Sequence, residues 1–377
     1  MIINVAKNYK NFKFNKMEKK QKIYALATAI VLIVCLAFVL NPENWLGSRI
    51  VKIENKNSIS AINNGGENNN KENNKSEEKT KERSLINGLE CDGAKNRPFA
   101  VMMTGDLEAW PLSGISEADL VVEMPVITGG ITRYMAVYGC AEPQEIGSIR
   151  SARHDFIPLA MGFDAIYVHW GGSHFALDKL NNKIMDNINA LYLDGSVFYR
   201  KPGLPKPHDG FTTIKRLREY SQRVGYRVES KFSGYQFYEE ENPSDKNGEL
   251  SIGYPSIFKV DYKYDAKTNS YLRVKGNKKD VDKLTGKQIT AKNVAIMYAA
   301  SRQIEGQYND MDIEGEGKAI VYQNGWEITG KWKKDKSDMK SKLYFYNDAG
   351  EEVKFVAGKI WIQVVEPGQE VKWEAEE

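Results

Sequence analysis

The sequence predicts an α+β protein: an N-terminal α/β domain with a mixed sheet and a C-terminal β-rich, mostly antiparallel domain, after a single membrane-spanning anchor. Three observations predict this class. Residues 23–40 are an unbroken apolar run, strand-like and helical patterns alternate from residue 97 to about residue 225, and strands with turn signals fill the chain from residue 256. Alternating strands and helices favour a layered α/β domain, whereas strands joined by short turns favour an antiparallel one.

The apolar run, IYALATAIVLIVCLAFVL, predicts a transmembrane helix over residues 23–40, because a helix of that length at about 1.5 Å per residue nearly crosses a bilayer's hydrocarbon. Residues 1–22 form a basic tail with seven lysines and one glutamate, which favours a cytoplasmic N-terminus and export of the rest. No small-residue cleavage site follows, so an uncleaved anchor is favoured over a signal peptide. Acylation of Cys35, as in a lipoprotein, is a third alternative. We expect a single-pass protein of the cell membrane with extracytoplasmic folded domains.

The exported part is expected to contain a linker and two domains. Residues 41–84 hold eleven asparagines and few apolar residues, which predicts a disordered linker. Residues 85–228 and 229–377 are expected to form the N-terminal and C-terminal domains. The tail contributes +6 and the linker +1 to a total charge of +3, which leaves −4 for residues 85–377. A mildly acidic body argues against nucleic acid as a partner.

Local signals predict individual helices, turns and one disulfide. Pro158 is tolerated only in the first turn of a helix, so we expect a helix that begins at residue 156 and has Asp155 as its N-cap. Cys91 and Cys140 fall at the same end of two strands if these pair antiparallel, and outside the cytoplasm they either form a disulfide or stay free thiols. Helices are expected over residues 156–162, after Ser173 and over residues 212–224, and hairpin turns at residues 265–269, 324–325 and 348–350.

The histidines indicate where any chemistry should lie. All four, His154, His169, His174 and His208, fall within residues 154–208 and therefore in the first domain. Their spacing matches no closed zinc pattern, so neither a metal site nor a cofactor is predicted.

His169 is expected at the carboxyl end of a buried strand, before a turn made by Gly171 and Gly172 and a helix capped by Ser173. In open α/β sheets ligands bind at that end of the strands, and a helix N-terminus attracts anions. The pattern therefore predicts part of a ligand site. The alternative is a tight turn beside a packed histidine.

Glu123 and Arg133 oppose each other across a hairpin if residues 126–130 form its loop. Alternation then places Arg133 on an apolar face, where an arginine must be paired or must lie at the rim of a site. A structural ion pair and a ligand-binding role are equal alternatives at this point.

Arg150 and Arg153 lie in the loop that leads into the helix at residue 156. Two guanidinium groups there can clamp a phosphate or a carboxylate, and the alternative is hydrogen bonding to loop carbonyls. His208 lies in a cationic loop rich in proline and glycine, residues 199–213, which is either the rim of that site or an exposed linker.

Several motifs together resemble a known family. They are RPFAVMM, SGISEADLVVE, GGITRYMAV, IGSIRSAR, DAIYVHWGGS and PKPH in the first domain, and GEGKAIVYQNGWEITGKWKK and GKIWIQVV in the second. In these motifs the chain resembles the YerB-like lipoproteins of Gram-positive bacteria, which have an uncharacterised N-terminal domain and a distinct C-terminal one. The resemblance implies extracytoplasmic anchoring and two domains, and it brings no established activity.

We therefore expect a membrane-anchored extracytoplasmic protein that binds an anionic cell-wall or lipid-linked ligand through an Arg/His pocket in the first domain. The sequence pattern lacks a Ser-His-Asp order, an activated cysteine, a phosphate-binding loop and paired carboxylates. Their absence from the pattern favours binding over catalysis. One alternative is a cell-envelope enzyme, a hydrolase or a glycopolymer transferase. Another is a scaffold or regulator of cell-wall enzymes that acts through protein contacts. The sequence leaves the oligomeric state unknown.

Overall fold

The computed structural model describes residues 81–127, 130–306 and 308–376, which all belong to one compact unit. The predicted basic tail, the apolar run with Cys35 and most of the predicted linker lie outside these ranges. Within the described ranges, no helix combines the length and the apolar character that crossing a membrane requires.

The structure has three α-helices in its described part, and each begins close to the predicted position. The hydroxyl of Ser173 accepts a hydrogen bond from the N–H of Ala176, and the hydroxyl of Thr213 accepts one from Arg216, so both residues cap their helices as short polar side chains do. The helices are α1 (Phe156–Gly162), α2 (His174–Asn181) and α3 (Ile214–Arg223).

Strands make up most of the rest, so the protein is mostly β with few helices. The strands are β1 (Phe99–Thr104), β2 (Leu120–Pro125), β3 (Thr132–Tyr138), β4 (Ile146–Gly147), β5 (Ile166–His169), β6 (Asn187–Asn189), β7 (Tyr199–Arg200), β8 (Gly210–Thr212), β9 (Gly248–Ile252), β10 (Val260–Asp265), β11 (Ser270–Lys275), β12 (Lys278–Lys279), β13 (Thr290–Ala291), β14 (Asn293–Tyr298), β15 (Ser301–Glu305), β16 (Tyr308–Met311), β17 (Gly315–Gln323), β18 (Trp326–Lys334), β19 (Tyr344–Asn347), β20 (Ile360–Val365) and β21 (Val371–Ala375).

A mixed sheet of ten strands joins the two halves of the chain. Its order is β19-β18-β17-β14-β20-β2-β3-β1-β5-β6, so five strands come from each half. The halves meet where β2 pairs in parallel with β20, with Leu120 opposite Ile360. On the N-terminal side β1 and β5 are parallel neighbours, and their carboxyl ends lie at one edge of the sheet. The predicted boundary at residue 228 therefore does not separate two independent sheets.

The two faces of this sheet are covered differently. On one face Val121 shares a core with Leu250 and Tyr262, because the smaller sheet formed by β9 to β13 and β21 packs there. On the other face Met135 packs with Phe156 of α1. Side chains alternate between the two faces along each strand, so a single residue's position decides which core it enters.

The fold begins before the first strand. Arg83 forms an antiparallel bridge with Glu90, and Ser84 is buried, so the folded part includes two residues that composition assigns to the linker. Cys91 and Cys140 are joined by a disulfide with a Cα–Cα distance of 6.0 Å. The disulfide ties this first segment to the end of β3.

Candidate functional site

The hairpin between β2 and β3 has a register one residue away from the predicted one. Glu123 lies opposite Tyr134, and Met124 lies opposite Arg133. Pairing continues beyond the strands, since the N–H of Val126 donates to the carbonyl of Ile131, which shortens the loop. A shift of one residue moves a side chain to the other face. Glu123 and Arg133 therefore lie on opposite faces of the sheet, and the predicted pair between them is wrong.

Glu123 is fully buried between the two sheets. Its carboxylate lies 2.6 Å from the guanidinium of Arg273 and 3.4 Å from the ammonium of Lys275, and it accepts a hydrogen bond from Thr132. Burial alone would raise the pKa of Glu123, but these two cations outweigh burial and hold the pKa below its usual value. The geometry indicates a structural role for Glu123.

Arg133 lies on the face of β3 that α1 covers, and only 5% of it is exposed. Register places it beside Thr104, the last residue of β1. One guanidinium nitrogen donates to the carbonyl of Ser151 at 2.8 Å, so the loop between β4 and α1 passes directly over this arginine.

Arg150 and Arg153 come from the same loop. Arg150 forms an ion pair with Asp106 at 3.2 Å, and Arg153 donates to the carbonyl of Ala152 and lies over the ring of Tyr308 at 5.4 Å. Asp106 and Tyr308 were not predicted as site residues. Asp106 was recognisable as the first acidic residue after β1, whereas Tyr308 lies in the other half of the chain and carries no local signal.

Arg133, Arg150 and Arg153 form what we call the arginine cluster. Burial and the positive charges of Arg153 and Arg150 lower the pKa of Arg133 well below its ordinary value, and the carboxylate of Asp106 opposes this only in part. Burial likewise lowers the pKa of Arg153. The Nε atom of each arginine is buried and has no hydrogen-bond partner in the part of the chain that the structure describes. The cluster therefore holds more positive charge than its described neighbours neutralise.

The turn after β5 is hydrogen-bonded to the loop between β4 and α1, so the backbone groups that make these bonds are not available to a ligand. The N–H of Ala152 donates to the carbonyl of Gly171, and the N–H of Ser173 donates to the carbonyl of Ala152. Gly172 forms a parallel bridge with Ala152, and Gly171 has a φ of +64°, which favours glycine. These contacts place Arg150 and Arg153 beside the carboxyl ends of β1 and β5.

His169 ends β5 as predicted, but its ring does not join the arginine cluster. It is fully buried, with Nδ1 2.7 Å from the carbonyl of Gly171 and Nε2 3.1 Å from the side-chain oxygen of Asn187. It lines a small cavity of about 140 Å³ under α2 together with Asn187 and Leu180. Burial lowers the pKa of His169, and the contacts with Gly171 and Asn187 oppose this shift. These contacts hold the ring inside the fold.

His208 is buried at the end of its cationic loop. Its Nε2 lies 3.2 Å from a carboxylate oxygen of Glu108, and its Nδ1 has no hydrogen-bond partner among the described residues. Glu108 is two residues from Asp106, the partner of Arg150. His208 therefore lies on the Asp106 side of the arginine cluster, with one contact to an exposed carboxylate.

A second cationic feature was missed in the sequence. A cavity of about 530 Å³ opens where β1 and β5 begin, at the opposite edge from the arginine cluster. Its arginines are already paired, because Arg97 contacts Asp186 and Arg227 contacts Asp164. Its charged lining residues are Arg97, Asp164, Lys183, Asp186, Arg227, Lys231, Lys340 and Lys342.

The fold and the site define a class: an α+β protein whose two halves share one mixed sheet and which buries a cationic cluster at the carboxyl ends of two parallel strands. Family models match both halves, the DUF3048 N-terminal domain over residues 87–227 and the DUF3048 C-terminal domain over residues 250–362, each described as a protein of unknown function. The chain belongs to the DUF3048 family, and the resemblance to YerB-like lipoproteins is confirmed.

Two comparisons place the chain within that family. It is 31% identical over 292 residues to the Bacillus subtilis (strain 168) protein named "Putative lipoprotein YerB", covering 76% of this chain and 86% of that protein. A crystal structure of the YerB protein from Bacillus subtilis superposes with a TM-score of 0.69 at 30% identity, covering 78% of this chain and all of that one.

Proposed function

We propose that the arginine cluster binds an anionic ligand of the cell envelope, and that phosphate or pyrophosphate is the group it recognises. The observation that carries the proposal is the excess charge of the cluster: in the described part of the chain Asp106 is its ion-paired carboxylate, and Asp155 adds only a weaker attraction at Arg153. Buried cations are ordinarily paired. A dianionic phosphate would neutralise the remaining charge and accept hydrogen bonds from the guanidinium groups, which match phosphate geometry.

Binding rather than turnover is the function that the geometry supports best. The ring of His169 is fully buried and contacts Gly171 and Asn187 rather than the arginine cluster, so it is not placed to act on an anion held there. The arginines, in contrast, retain Nε–H donors that an anion can use.

The test is calorimetric titration of the full-length protein in detergent with inorganic pyrophosphate. We expect binding by the wild-type protein and a loss of roughly tenfold or more in affinity for Arg153→Gln, since a hydrogen bond to a charged group contributes about 1.5–3 kcal/mol. Arg218→Gln is the matched control, because it removes the same charge from α3, where Arg218 contacts Glu142. Equal losses in both variants, or acetate bound as tightly as pyrophosphate, would contradict the proposal.

We also propose that this domain is held outside the cytoplasm by the apolar run at residues 23–40. The lysine-rich tail before that run, the name of the Bacillus relative and the disulfide between Cys91 and Cys140 support this location. Protease added to intact protoplasts should remove the folded domains while leaving the tail. Full protection of the domains would contradict an extracytoplasmic location.

A further inference from the structure

The loop that carries the arginine cluster also contributes two residues to a separate cluster. Nε2 of His154 lies 3.3 Å from Oδ1 of Asp155 and 3.2 Å from Oδ1 of Asp310. One donor atom from each of the three residues lies within 4.8 Å of the others. His154 and Asp155 precede α1, whereas Asp310 belongs to β16 in the other half of the chain, so the fold brings the three together.

Asp155 occupies the predicted N-cap position of α1, but its side chain does not cap the helix. Its side chain is 2% exposed and accepts no hydrogen bond from an N–H of α1. Its Oδ2 atom is buried without a hydrogen-bond partner among the residues that the structure describes, as is Nδ1 of His154. Buried carboxylate oxygens nearly always have a partner, so Oδ2 of Asp155 is an acceptor available to a ligand beside Oδ1, the oxygen that faces His154.

The distances from His154 to the two carboxylates fit a coordinated metal ion. Zinc binds histidine nitrogen and carboxylate oxygen at about 2.0–2.2 Å, which puts neighbouring tetrahedral ligands roughly 3.3–3.5 Å apart. The distances from His154 to Asp155 and to Asp310 are 3.3 and 3.2 Å. One imidazole and two carboxylates suit Zn²⁺ or Mn²⁺ better than Ca²⁺ or Mg²⁺, which take oxygen ligands.

Outer contacts fix both carboxylates in place. Oδ1 of Asp155 accepts a hydrogen bond from the N–H of Met311 at 3.1 Å. Oδ2 of Asp310 accepts one from Nε of Arg302 at 2.9 Å, which leaves its Oδ1 directed at His154. Metal sites commonly hold their ligands through such outer hydrogen bonds.

We propose that His154, Asp155 and Asp310 form a binding site for a single Zn²⁺ or Mn²⁺ ion, with at least one coordination position left for water or another ligand. This site is distinct from the arginine cluster and does not depend on anion binding there.

The test measures binding of Zn²⁺ and Mn²⁺ to the full-length protein after treatment with a chelator and dialysis. We expect one ion per chain, a raised melting temperature with metal, and a loss of at least about tenfold in affinity for Asp155→Asn and for Asp310→Asn. Asp312→Asn is the control, since Asp312 is exposed and lies two residues from Asp310.

Three results would overturn the proposal. They are unchanged metal affinity in both asparagine variants, equal losses in Asp312→Asn, and tighter binding of Ca²⁺ or Mg²⁺ than of Zn²⁺ and Mn²⁺. Because Asp155→Asn preserves the shape of the side chain and its acceptor for Met311, the variant should fold, and its melting temperature without metal checks this. Co²⁺ in place of zinc should give visible absorption that is lost in Asp310→Asn.

Discussion

Arg273→Met is expected to lower the free energy of unfolding by about 3–5 kcal/mol, because it leaves the buried carboxylates of Glu123 and Asp280 with Lys275 as the remaining cation of their network. Both side chains are fully buried, 2.6 Å apart, and Arg273 also lies 3.1 Å from Asp280 and over the ring of Trp361. With Lys275 the network holds two cations and two carboxylates, so removing one cation leaves it with net negative charge. Urea unfolding of the full-length protein measures the change.

The double variant with Glu123→Gln and Arg273→Met separates charge from packing. It removes one charge of each sign and leaves Lys275 and Asp280 as a neutral pair. We expect it to recover at least about 2 kcal/mol of the loss caused by Arg273→Met alone, as coupled buried charges do. A double variant that is as unstable as the sum of the two single variants would show that Glu123 and Arg273 are not coupled.

Arg133→Met is expected to act in the opposite direction and to raise the free energy of unfolding by about 1–2 kcal/mol without ligand. The change removes a buried charge that Arg150 and Arg153 repel, and replacing such charges by apolar side chains is often stabilising. The substitution also removes the hydrogen bond to the carbonyl of Ser151, but that bond contributes less to the free energy of unfolding than the charge repulsion costs. The same variant should lose roughly a hundredfold or more in pyrophosphate affinity, since it removes the central cation of the cluster.

A fall of several kcal/mol in Arg133→Met would instead show that this arginine holds the loop in place. Arg133→Lys provides the comparison that keeps the charge. Arg133→Lys should retain part of the pyrophosphate affinity and should have about the same free energy of unfolding as the wild-type protein. If Arg133 served only to contact Ser151, the lysine and methionine variants would lower the free energy of unfolding equally.

Local structure was predictable because its signals are short-range. Pro158 located α1, Ser173 located α2, and turn residues located the hairpin after β10. The ten-stranded sheet was not predictable, because the pairing of Leu120 with Ile360 joins distant segments and leaves no pattern in either one. The two segments expected as domains from a change in the pattern of strands and helices contribute five strands each to this sheet.

The candidate site was predictable in part. Arg150 and Arg153 lie in one short motif, and Arg133 was recognisable as a charge on an apolar face. Its assigned partner was wrong because one extra hydrogen-bonded pair beyond β2 and β3 shifts the register. Glu123 instead pairs with Arg273 and Lys275, which lie about 150 residues later in the chain. The contact of His154 with Asp310 was hidden for the same reason.

The most direct measurement is a crystal structure of the protein at saturating pyrophosphate. We expect an anion within hydrogen-bonding distance of Arg133 and of at least one of Arg150 and Arg153. An anion found only in the cavity lined by Arg97 and Lys231, with the arginine cluster unchanged, would contradict it.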